Sequence, residues 1–377
     1  KRLLIATTVP ETIQSILKDQ PKFLNKFFQV SIATSPGQEL NDLSAEGVPI
    51  YKVPMKRGIS PASDVVSIIR MVRLILKIKP DIVHSYTPKA GWVCMLSAWI
   101  CRVPCRIHTF TGLIWPTSGG LRRQLLIIVD RLLCFCATHI VPEGDGVKCD
   151  LKKGFITSKT LEVIGYGNIA GVDVDYYSPN AIDVKLTSEN IKIKHNISND
   201  NFTFLYVGRL NPDKGLKELM TAFEGMPAHC QLLIVGGVDK SAPLSSILLD
   251  KFEAHPRVHC LGYQSDVRPA MLAADVLVLP SYREGFPNVL IQAGAMEVPV
   301  IATDINGCNE VVQPGLNGWL VPVKDSNELM LAMEDACFCS KKMLAEMGHS
   351  ARMIITKRFE RKNYWKNLLA FYRNLNI

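Results

Sequence analysis

The sequence predicts an α/β protein made of two Rossmann-like, doubly wound domains that face each other across a cleft. Short apolar runs rich in β-branched residues alternate with helical patterns along all 377 residues. Such runs are typical of parallel strands that are buried on both faces. The pattern occurs twice, on either side of a segment with glycine, proline and tyrosine at 165–180. The length also fits two domains of roughly 150–200 residues.

Each strand is predicted from a local apolar run. In the first half, strands are expected at 3–7, 27–34, 49–53, 81–86, 105–110, 138–141 and 161–164. Between them, the segment 64–79 has apolar residues at helical spacing, at Val65, Ile68, Ile69, Val72 and Leu76. In the second half, strands are expected at 202–208, 231–236, 257–262, 275–280, 299–303 and 318–322. We place one domain at 1–165 together with the C-terminal segment 358–377, and the other at 166–357.

Composition excludes several protein classes. With 47% hydrophobic and 21% charged residues, the chain is not intrinsically disordered. A membrane-spanning helix needs about 18 uninterrupted apolar residues, and the nearest candidate, 124–141, is interrupted by Asp130 and Arg131. The 11 cysteines lack the regular four-ligand spacing of zinc sites. They predict buried, reduced thiols in a cytoplasmic protein. No metal or other cofactor is expected.

Positive charge is concentrated in the first half of the chain. Residues 1–165 contain 22 basic and 12 acidic residues, a net +10, and the remaining residues carry −2 of the overall +8. This asymmetry favours an anionic partner for the first half, and a solvated basic surface is the alternative.

Two cations follow the first strand of the second half. The strand ends at Gly208, Arg209 comes next, and Lys214 stands before a predicted helix. Ligands of open parallel sheets bind at the carboxyl ends of strands. Because a guanidinium and an ammonium both suit phosphate oxygens, the pair predicts a diphosphate site.

A second segment, 280–312, carries a carboxylate and a helix start. Glu284 would repel phosphate, so it is better suited to accept hydrogen bonds from sugar hydroxyls. The predicted helix begins near Pro287-Asn288, where free amides can bind an anion. Gln292, eight residues after Glu284, is positioned to reach a ribose edge. The alternative is that Glu284 only complements the helix dipole.

These motifs together resemble a known family. Arg-x4-Lys followed by EGFPNVLIQ, with the segments 167–179, 300–312 and 318–322, is similar to the retaining nucleotide-sugar glycosyltransferases of the GT-B fold, specifically their fourth family. DIVHSYTPKAG (81–91) and RIHTFTG (106–112) resemble members that build bacterial surface polysaccharides. The resemblance extends over almost the whole chain and is strongest in 203–325.

The resemblance implies a role for each site residue. Arg209 and Lys214 would hold the donor diphosphate and stabilise the departing nucleotide, and Glu284 would contact the transferred sugar. The donor would also be lined by Gly208, Gly285, Phe286, Pro287, Asn288 and Gln292. This sequence departs from the family where Gln292 replaces a glutamate, where Thr7-Thr8-Val9-Pro10 replaces a glycine-rich turn, and where Thr111-Gly112 replaces His-Gly.

Four residues of the first half are candidate contacts to acceptor or sugar: His84, Lys89, His108 and Thr111. For His108 the alternative is a buried strand histidine, and for Lys89 a solvated residue at a helix start. Asp173-Val174-Asp175 has the Asp-x-Asp form of metal-dependent glycosyltransferases of another fold. We expect no metal there, because Arg209 and Lys214 supply the charge neutralisation.

The implied function is retaining transfer of a hexose or N-acetylhexosamine from a nucleoside diphosphate sugar, UDP-linked, to a saccharide on a polyprenyl diphosphate. No nucleic acid partner is expected. Arg122, Arg123, Lys56 and Arg57 would attract an anionic membrane, which places the protein at the inner face of the cytoplasmic membrane.

Three other functions are alternatives. An NAD-dependent dehydrogenase needs Gly-x-Gly-x-x-Gly between a strand and a helix, and Gly165-x-Gly167 does not precede a helical pattern. A two-lobed solute-binding protein would be secreted, which the cysteines disfavour. A hydrolysing 2-epimerase of the same fold would need an acid/base pair that we do not find.

Overall fold

The computed structural model describes residues 1–37, 45–56, 58, 60–239 and 242–375. The chain forms two compact units. Unit 1 comprises Lys1–Ala170 and Arg361–Ile377, and unit 2 comprises Gly171–Glu360. Each unit contains one six-stranded parallel sheet, so the predicted pair of doubly wound α/β sheets is confirmed.

Unit 1 has the strand order β3-β2-β1-β4-β5-β6. Its strands are β1 (Arg2–Ala6), β2 (Gln29–Thr34), β3 (Ile50–Lys52), β4 (Ile82–Tyr86), β5 (Cys105–Phe110) and β6 (His139–Pro142). Its first helices are α1 (Pro10–Ser15), α2 (Gln20–Leu24), α3 (Pro61–Ile78), α4 (Pro88–Ile100), α5 (Gly120–Cys136) and α6 (Asp145–Lys153). The strand predicted at 161–164 is wrong, because only Leu161 bridges Ile140 before the chain turns at Gly165, where φ is +61°.

Unit 2 has the equivalent order, β12-β11-β10-β7-β8-β9. Its strands are β7 (Phe202–Val207), β8 (Cys230–Val235), β9 (Val258–Gly262), β10 (Val276–Leu279), β11 (Val300–Thr303) and β12 (Gly318–Val321). Its helices are α7 (Ile182–Lys194), α8 (Leu216–Glu224), α9 (Ser246–Ala254), α10 (Arg268–Leu272), α11 (Asn288–Ala295), α12 (Cys308–Val311), α13 (Ser326–Phe338) and α14 (Lys341–Phe359).

The last helix, α15 (Arg361–Asn374), belongs to unit 1. It buries Tyr364, Leu368, Phe371 and Tyr372, which recur at helical spacing. These side chains join the hydrophobic cluster on one face of the unit 1 sheet, with Leu3 and Ile5. Leu4 joins a separate cluster with residues of α3, α4 and α5. The alternation along β1 therefore fills a core on both faces of the sheet.

The helix predicted at 64–79 is present as α3, but three of the five residues of its predicted apolar stripe face solvent, while Ile68 packs against the core. Val65, Ile69 and Leu76 are exposed, and the buried side chains are those of Ser67, Met71, Leu74 and Ile75. The rotation of α3 is set partly by Ser67, whose hydroxyl donates to the carbonyl of Pro54 at 2.5 Å.

All 11 cysteines are free thiols. Six are buried, but Cys149 and Cys260 are exposed, so the prediction of buried thiols is wrong for these two. Within the described ranges, none of the helices combines the length and apolar character needed to cross a bilayer.

In both sheets the strand order reverses at one point, between β1 and β4 in unit 1 and between β7 and β10 in unit 2. Parallel α/β sheets bind ligands at the carboxyl ends of the strands beside such a reversal. In unit 2 the loops that follow these two strands carry the predicted diphosphate and sugar residues.

Candidate active site

The first of these loops follows β7. Gly208 ends the strand and donates its amide to the carbonyl of Val235 at 2.9 Å. Arg209 comes next, and a short 3-10 turn, Pro212–Lys214, leads into α8. The helix start predicted beside Lys214 is confirmed.

Gly215 joins this loop to the loop that follows β10. Its φ is +66°, and a Cβ at this position would lie 1.9 Å from the carbonyl oxygen of Pro280. Only glycine combines this backbone conformation with this close approach. The contact holds Lys214 beside the segment that carries Glu284.

Lys214 and Glu284 form a close ion pair. The Nζ–Oε1 distance is 2.5 Å, and the two side chains are only 18% and 14% exposed. The buried hydroxyl of Ser281 donates to the same oxygen, Oε1, at 2.7 Å. Since both bonds use Oε1, the other carboxylate oxygen is suited to accept from a ligand hydroxyl. The Lys214 ammonium likewise has two further hydrogens to donate.

Arg209 has a different acidic partner. Its guanidinium lies 2.5 Å from Asp239, in the loop that follows β8, and its side chain is 67% exposed. The structure thus places both predicted cations on one loop, with each paired to its own carboxylate. Their convergence on a single diphosphate stays a prediction.

Tyr206 supports the backbone at Arg209. Its hydroxyl donates to the Arg209 carbonyl at 2.9 Å. Burial raises the pKa of this phenol, and the Glu284 carboxylate raises it further. The hydroxyl therefore keeps its proton and its donor role across the physiological pH range.

The second loop ends at α11. Pro287 is the N-cap and Asn288 the first helical residue, which confirms the predicted start. Because Pro287 has no N–H, the amides available here are those of Gly285, Phe286 and Asn288. The Phe286 side chain is buried, with its ring centroid 5.4 Å from that of Phe359, so only its backbone can serve a ligand. Gln292 lies one turn into α11 and is half-buried.

Sequence reasoning missed three residues that shape this site. Ser281 fixes Glu284 and stands only three positions before it, so its proximity was a usable signal. Asp239 is 30 residues from Arg209 and had no local signal. Gly307 has φ +77°, and a Cβ there would lie 2.6 Å from the Gly285 carbonyl, so it supports the loop before α11.

The structure contradicts the prediction that His84 contacts the acceptor or the sugar. It is fully buried in unit 1, with Nδ1 2.6 Å from the Tyr372 hydroxyl and Nε2 2.7 Å from the Thr109 hydroxyl. Burial holds the pKa of its imidazole well below the usual value, so the ring is neutral. Both ring nitrogens are already bonded within the unit, which contradicts a contact to acceptor or sugar.

His108 and Lys89 are also engaged within unit 1. His108 is buried, its Nδ1 lies 2.9 Å from the Ser85 hydroxyl, and burial lowers its pKa to about 3. These contacts favour the alternative interpretation, in which His108 is a buried strand histidine and does not contact a ligand. Lys89 lies 2.8 Å from both carboxylate oxygens of Asp64 and is 12% exposed, so it is neither solvated nor an uncompensated charge for phosphate. Thr111 follows β5 and is half-buried, and its role stays a prediction.

The Asp-x-Asp segment has a local structural role. The Asp173 carboxylate accepts hydrogen bonds from the amides of Asp175 and Tyr176, each at 3.1 Å. This is an Asx-type turn, in which the side chain stabilises the backbone of its own loop.

Comparisons with known proteins show the family to which the chain belongs. Residues 187–353 match the family model "Glycosyl transferases group 1", and residues 24–164 match "Glycosyl transferase 4-like domain". The capsular polysaccharide biosynthesis glycosyltransferase CapM of Staphylococcus aureus is 30% identical over 99% of this chain and 97% of its own length. The UDP-Gal:alpha-D-GlcNAc-diphosphoundecaprenol alpha-1,3-galactosyltransferase of Escherichia coli is 26% identical over 82% of this chain and 80% of its own.

The fold has a solved counterpart. The crystal structure of Anabaena HepE in complex with UDP has a TM-score of 0.83, with 18% identity and full coverage of both chains. The two sheets are thus those of the GT-B fold. The chain belongs to the glycosyltransferases that combine a 4-like domain with a group 1 domain. It is an enzyme of sugar transfer, and the dehydrogenase and solute-binding interpretations are discarded.

Proposed function

We propose that this enzyme moves a hexose or N-acetylhexosamine from a UDP-linked donor to a saccharide on a polyprenyl diphosphate, with retention of configuration. The observation that carries the proposal is the Lys214–Glu284 pair at the strand reversal of unit 2. It places a cation suited to phosphate beside a carboxylate suited to sugar hydroxyls. The names of the two relatives support the reaction class, since one includes capsular polysaccharide biosynthesis and the other a UDP sugar and a diphosphoundecaprenol acceptor.

In the proposed reaction the bond between the anomeric carbon and the β-phosphate oxygen breaks. Arg209 and Lys214 stabilise the negative charge that grows on the leaving diphosphate. The acceptor oxygen bonds to the anomeric carbon on the same face, and its proton passes to the leaving phosphate. Glu284 holds the sugar through its hydroxyls while charge develops at the ring. The cations do what a divalent metal does in glycosyltransferases that require one.

The donor site is tested by thermal melting. We expect UDP to raise the melting temperature of the wild type, because ligand at 100 times its Kd adds about 2.7 kcal/mol of stability. The double variant Arg209→Ala/Lys214→Ala should lose this shift. Arg283→Ala is the matched control, since Arg283 is an exposed cation next to Glu284 in sequence whose guanidinium forms an ion pair with Asp213.

The same melting measurement is made with GDP, ADP and NAD. If GDP but not UDP raises the melting temperature, the diphosphate site is supported and the donor base is guanine and not uracil. If no nucleoside diphosphate shifts the wild type, or the double variant responds as the wild type does, the proposed site is wrong. A transfer assay with radiolabelled nucleotide sugars and lipid-linked acceptors then identifies the sugar.

We also propose that unit 1 docks on an anionic membrane surface. Five apolar residues of α5 are exposed, from Leu121 at 84% to Phe135 at 66%, with Leu125, Ile128 and Leu132 between them. Their spacing of three and four residues places them on one side of the helix. Exposed apolar stripes of this kind, flanked by basic residues, are typical of helices that lie in a membrane interface.

Neighbouring helices extend this surface. α4, which packs against α3 and α5, exposes Trp99 and Ile100, and the Trp99 ring lies 6.1 Å from that of Phe135. We call the exposed apolar residues of α3, α4 and α5 the apolar face of unit 1. Arg122 and Arg123 are exposed at the start of α5. Lys56, which precedes α3, is also exposed. Arg57 lies outside the described residues. Burial raises the pKa of Asp130 to about 7, which weakens the one acidic charge of α5 near neutral pH.

Binding to vesicles tests this surface. We expect co-sedimentation with phosphatidylglycerol vesicles that weakens with salt, and at least about 10-fold weaker binding for Leu125→Glu/Ile128→Glu, because burying each apolar side chain contributes about 1.5–3 kcal/mol. Ile247→Glu, at an exposed residue of α9 in unit 2, is the control. Equal binding by the α5 variant and the wild type would show that this face does not dock.

A further inference from the structure

A second group of chemically active side chains lies at the amino-terminal end of β8 in the unit 2 sheet. Cys230 is the first residue of β8, and His229 directly precedes it. Cys337 is in the last turn of α13. These residues mark the amino-terminal end of the strand, whereas the proposed donor site lies at the carboxyl ends. The cluster is therefore separate from the sugar-transfer site.

The three side chains converge on a common point. His229 Nε2 lies 3.2 Å from Cys337 Sγ, and the two sulfur atoms are 3.6 Å apart. All three atoms lie within 4.8 Å of one another. Tetrahedral zinc has Zn–S bonds of about 2.3 Å and Zn–N bonds of about 2.0–2.1 Å, which set ligand atoms about 3.5–3.8 Å apart. The His229–Cys337 and Cys230–Cys337 separations are within a few tenths of an ångström of that range, and the His229–Cys230 separation is below 4.8 Å.

We propose that His229, Cys230 and Cys337 bind a zinc ion. Two thiolates and an imidazole favour a borderline or soft metal over magnesium or calcium. A disulfide is the other chemistry open to the two sulfurs, but it requires them to approach to about 2.05 Å. It would also leave His229 without a function.

The surroundings provide a fourth ligand position. Cys337 and His229 line an open cleft of about 760 Å³, together with Asp275 and Cys339. Solvent reaches the cluster through this cleft, so water can complete the coordination. Because zinc binds thiolates, its binding releases the two thiol protons to solvent.

The ion would link two elements of unit 2. It would connect α13 to β8 through residues 107 positions apart in the chain. Such a link stabilises the folded unit by the free energy of metal binding. The cysteine spacing predicted no zinc site, because regular spacing reveals only ligands that are neighbours in sequence.

Cobalt titration tests the site in the full chain. With a phosphine reductant present, we expect one equivalent of Co²⁺ to bind with a sulfur-to-cobalt charge-transfer band, and Zn²⁺ to displace it. Cys337→Ser and His229→Ala should each lower the affinity by more than about 100-fold, since even residues behind the ligands cost 10–100-fold. Cys260→Ser, at an exposed thiol of β9, should bind as the wild type does.

Melting curves give a second measurement. Zn²⁺ should raise the melting temperature of the wild type and of Cys260→Ser, but not that of Cys337→Ser. His229 is exposed, so its replacement tests the site even if a cysteine variant folds poorly. Failure of the reduced wild type to bind Co²⁺, or undiminished binding after both substitutions, would overturn the proposal.

Discussion

Replacing Lys214 by alanine is expected to lower kcat about 100–1,000-fold, which is the usual cost of removing one group that stabilises transition-state charge. Lys214 is held at the strand reversal of unit 2 with its ammonium 2.5 Å from Glu284. Its remaining hydrogens can meet the leaving diphosphate, where negative charge grows as the glycosidic bond breaks. Steady-state kinetics with the donor identified by the melting panel measures the effect.

Two further variants separate this role from a structural one. Loss of Lys214 leaves Glu284 as a largely buried carboxylate without its partner, which by itself can destabilise the fold. The double variant Lys214→Ala/Glu284→Gln removes that charge and should recover stability but not kcat. Arg283→Ala should stay close to wild-type activity. Recovery of kcat in the double variant would show that Lys214 only neutralises Glu284.

Gly215→Ala is expected to destabilise unit 2 by about 2–5 kcal/mol. The left-handed conformation costs a residue with a Cβ about 1–2 kcal/mol, and forcing an atom into a packed region costs a further 1–3 kcal/mol. The Cβ would lie 1.9 Å from the Pro280 carbonyl, so the backbone of the loop after β10 must move. Denaturant unfolding measures the loss, and the UDP-dependent melting shift should fall with it.

Gly262→Ala is the matched control for this variant. Gly262 has the same φ of +66°, but no atom lies within 4 Å of the Cβ position. It should show only the conformational cost of about 1–2 kcal/mol. Equal losses in the two variants would mean that the contact between Gly215 and Pro280 does not hold the site together.

The strands and the motifs around Lys214 and Glu284 can be predicted from sequence because their signals are local. Nearly continuous apolar runs mark buried parallel strands, and all but one of the predicted strands occur within a few residues of their expected bounds. The cation positions at 209 and 214 follow directly after one such strand. The start of α11 at Asn288 follows from the proline before it.

The partners of these residues depend on chain segments that are distant in sequence. Lys214 and Glu284 are 70 positions apart, and Arg209 and Asp239 are 30 apart. Nothing near Lys89 indicates that Asp64, on the preceding helix, neutralises it. His84 is a candidate ligand contact from the sequence, yet α15 returns 288 positions later and covers it with Tyr372.

The orientation of α3 also depends on contacts between segments that are distant in sequence. Periodicity correctly predicts α3, but it does not say which side of the helix faces the core. The contacts of Ser67, Met71 and Ile75 decide this, and they leave Val65 and Leu76 on the apolar face of unit 1.

By itself, then, the sequence determined the two α/β sheets, the position of the loops that carry Lys214 and Glu284 and the glycosyltransferase class, since each depends on patterns within a few consecutive residues. Tertiary structure alone decided which charges are paired, which histidines are covered, which apolar side chains face solvent and which cysteines meet His229. The physical reason is that burial and pairing arise between segments that only the folded chain brings together, and short-range periodicity carries no information about those neighbours.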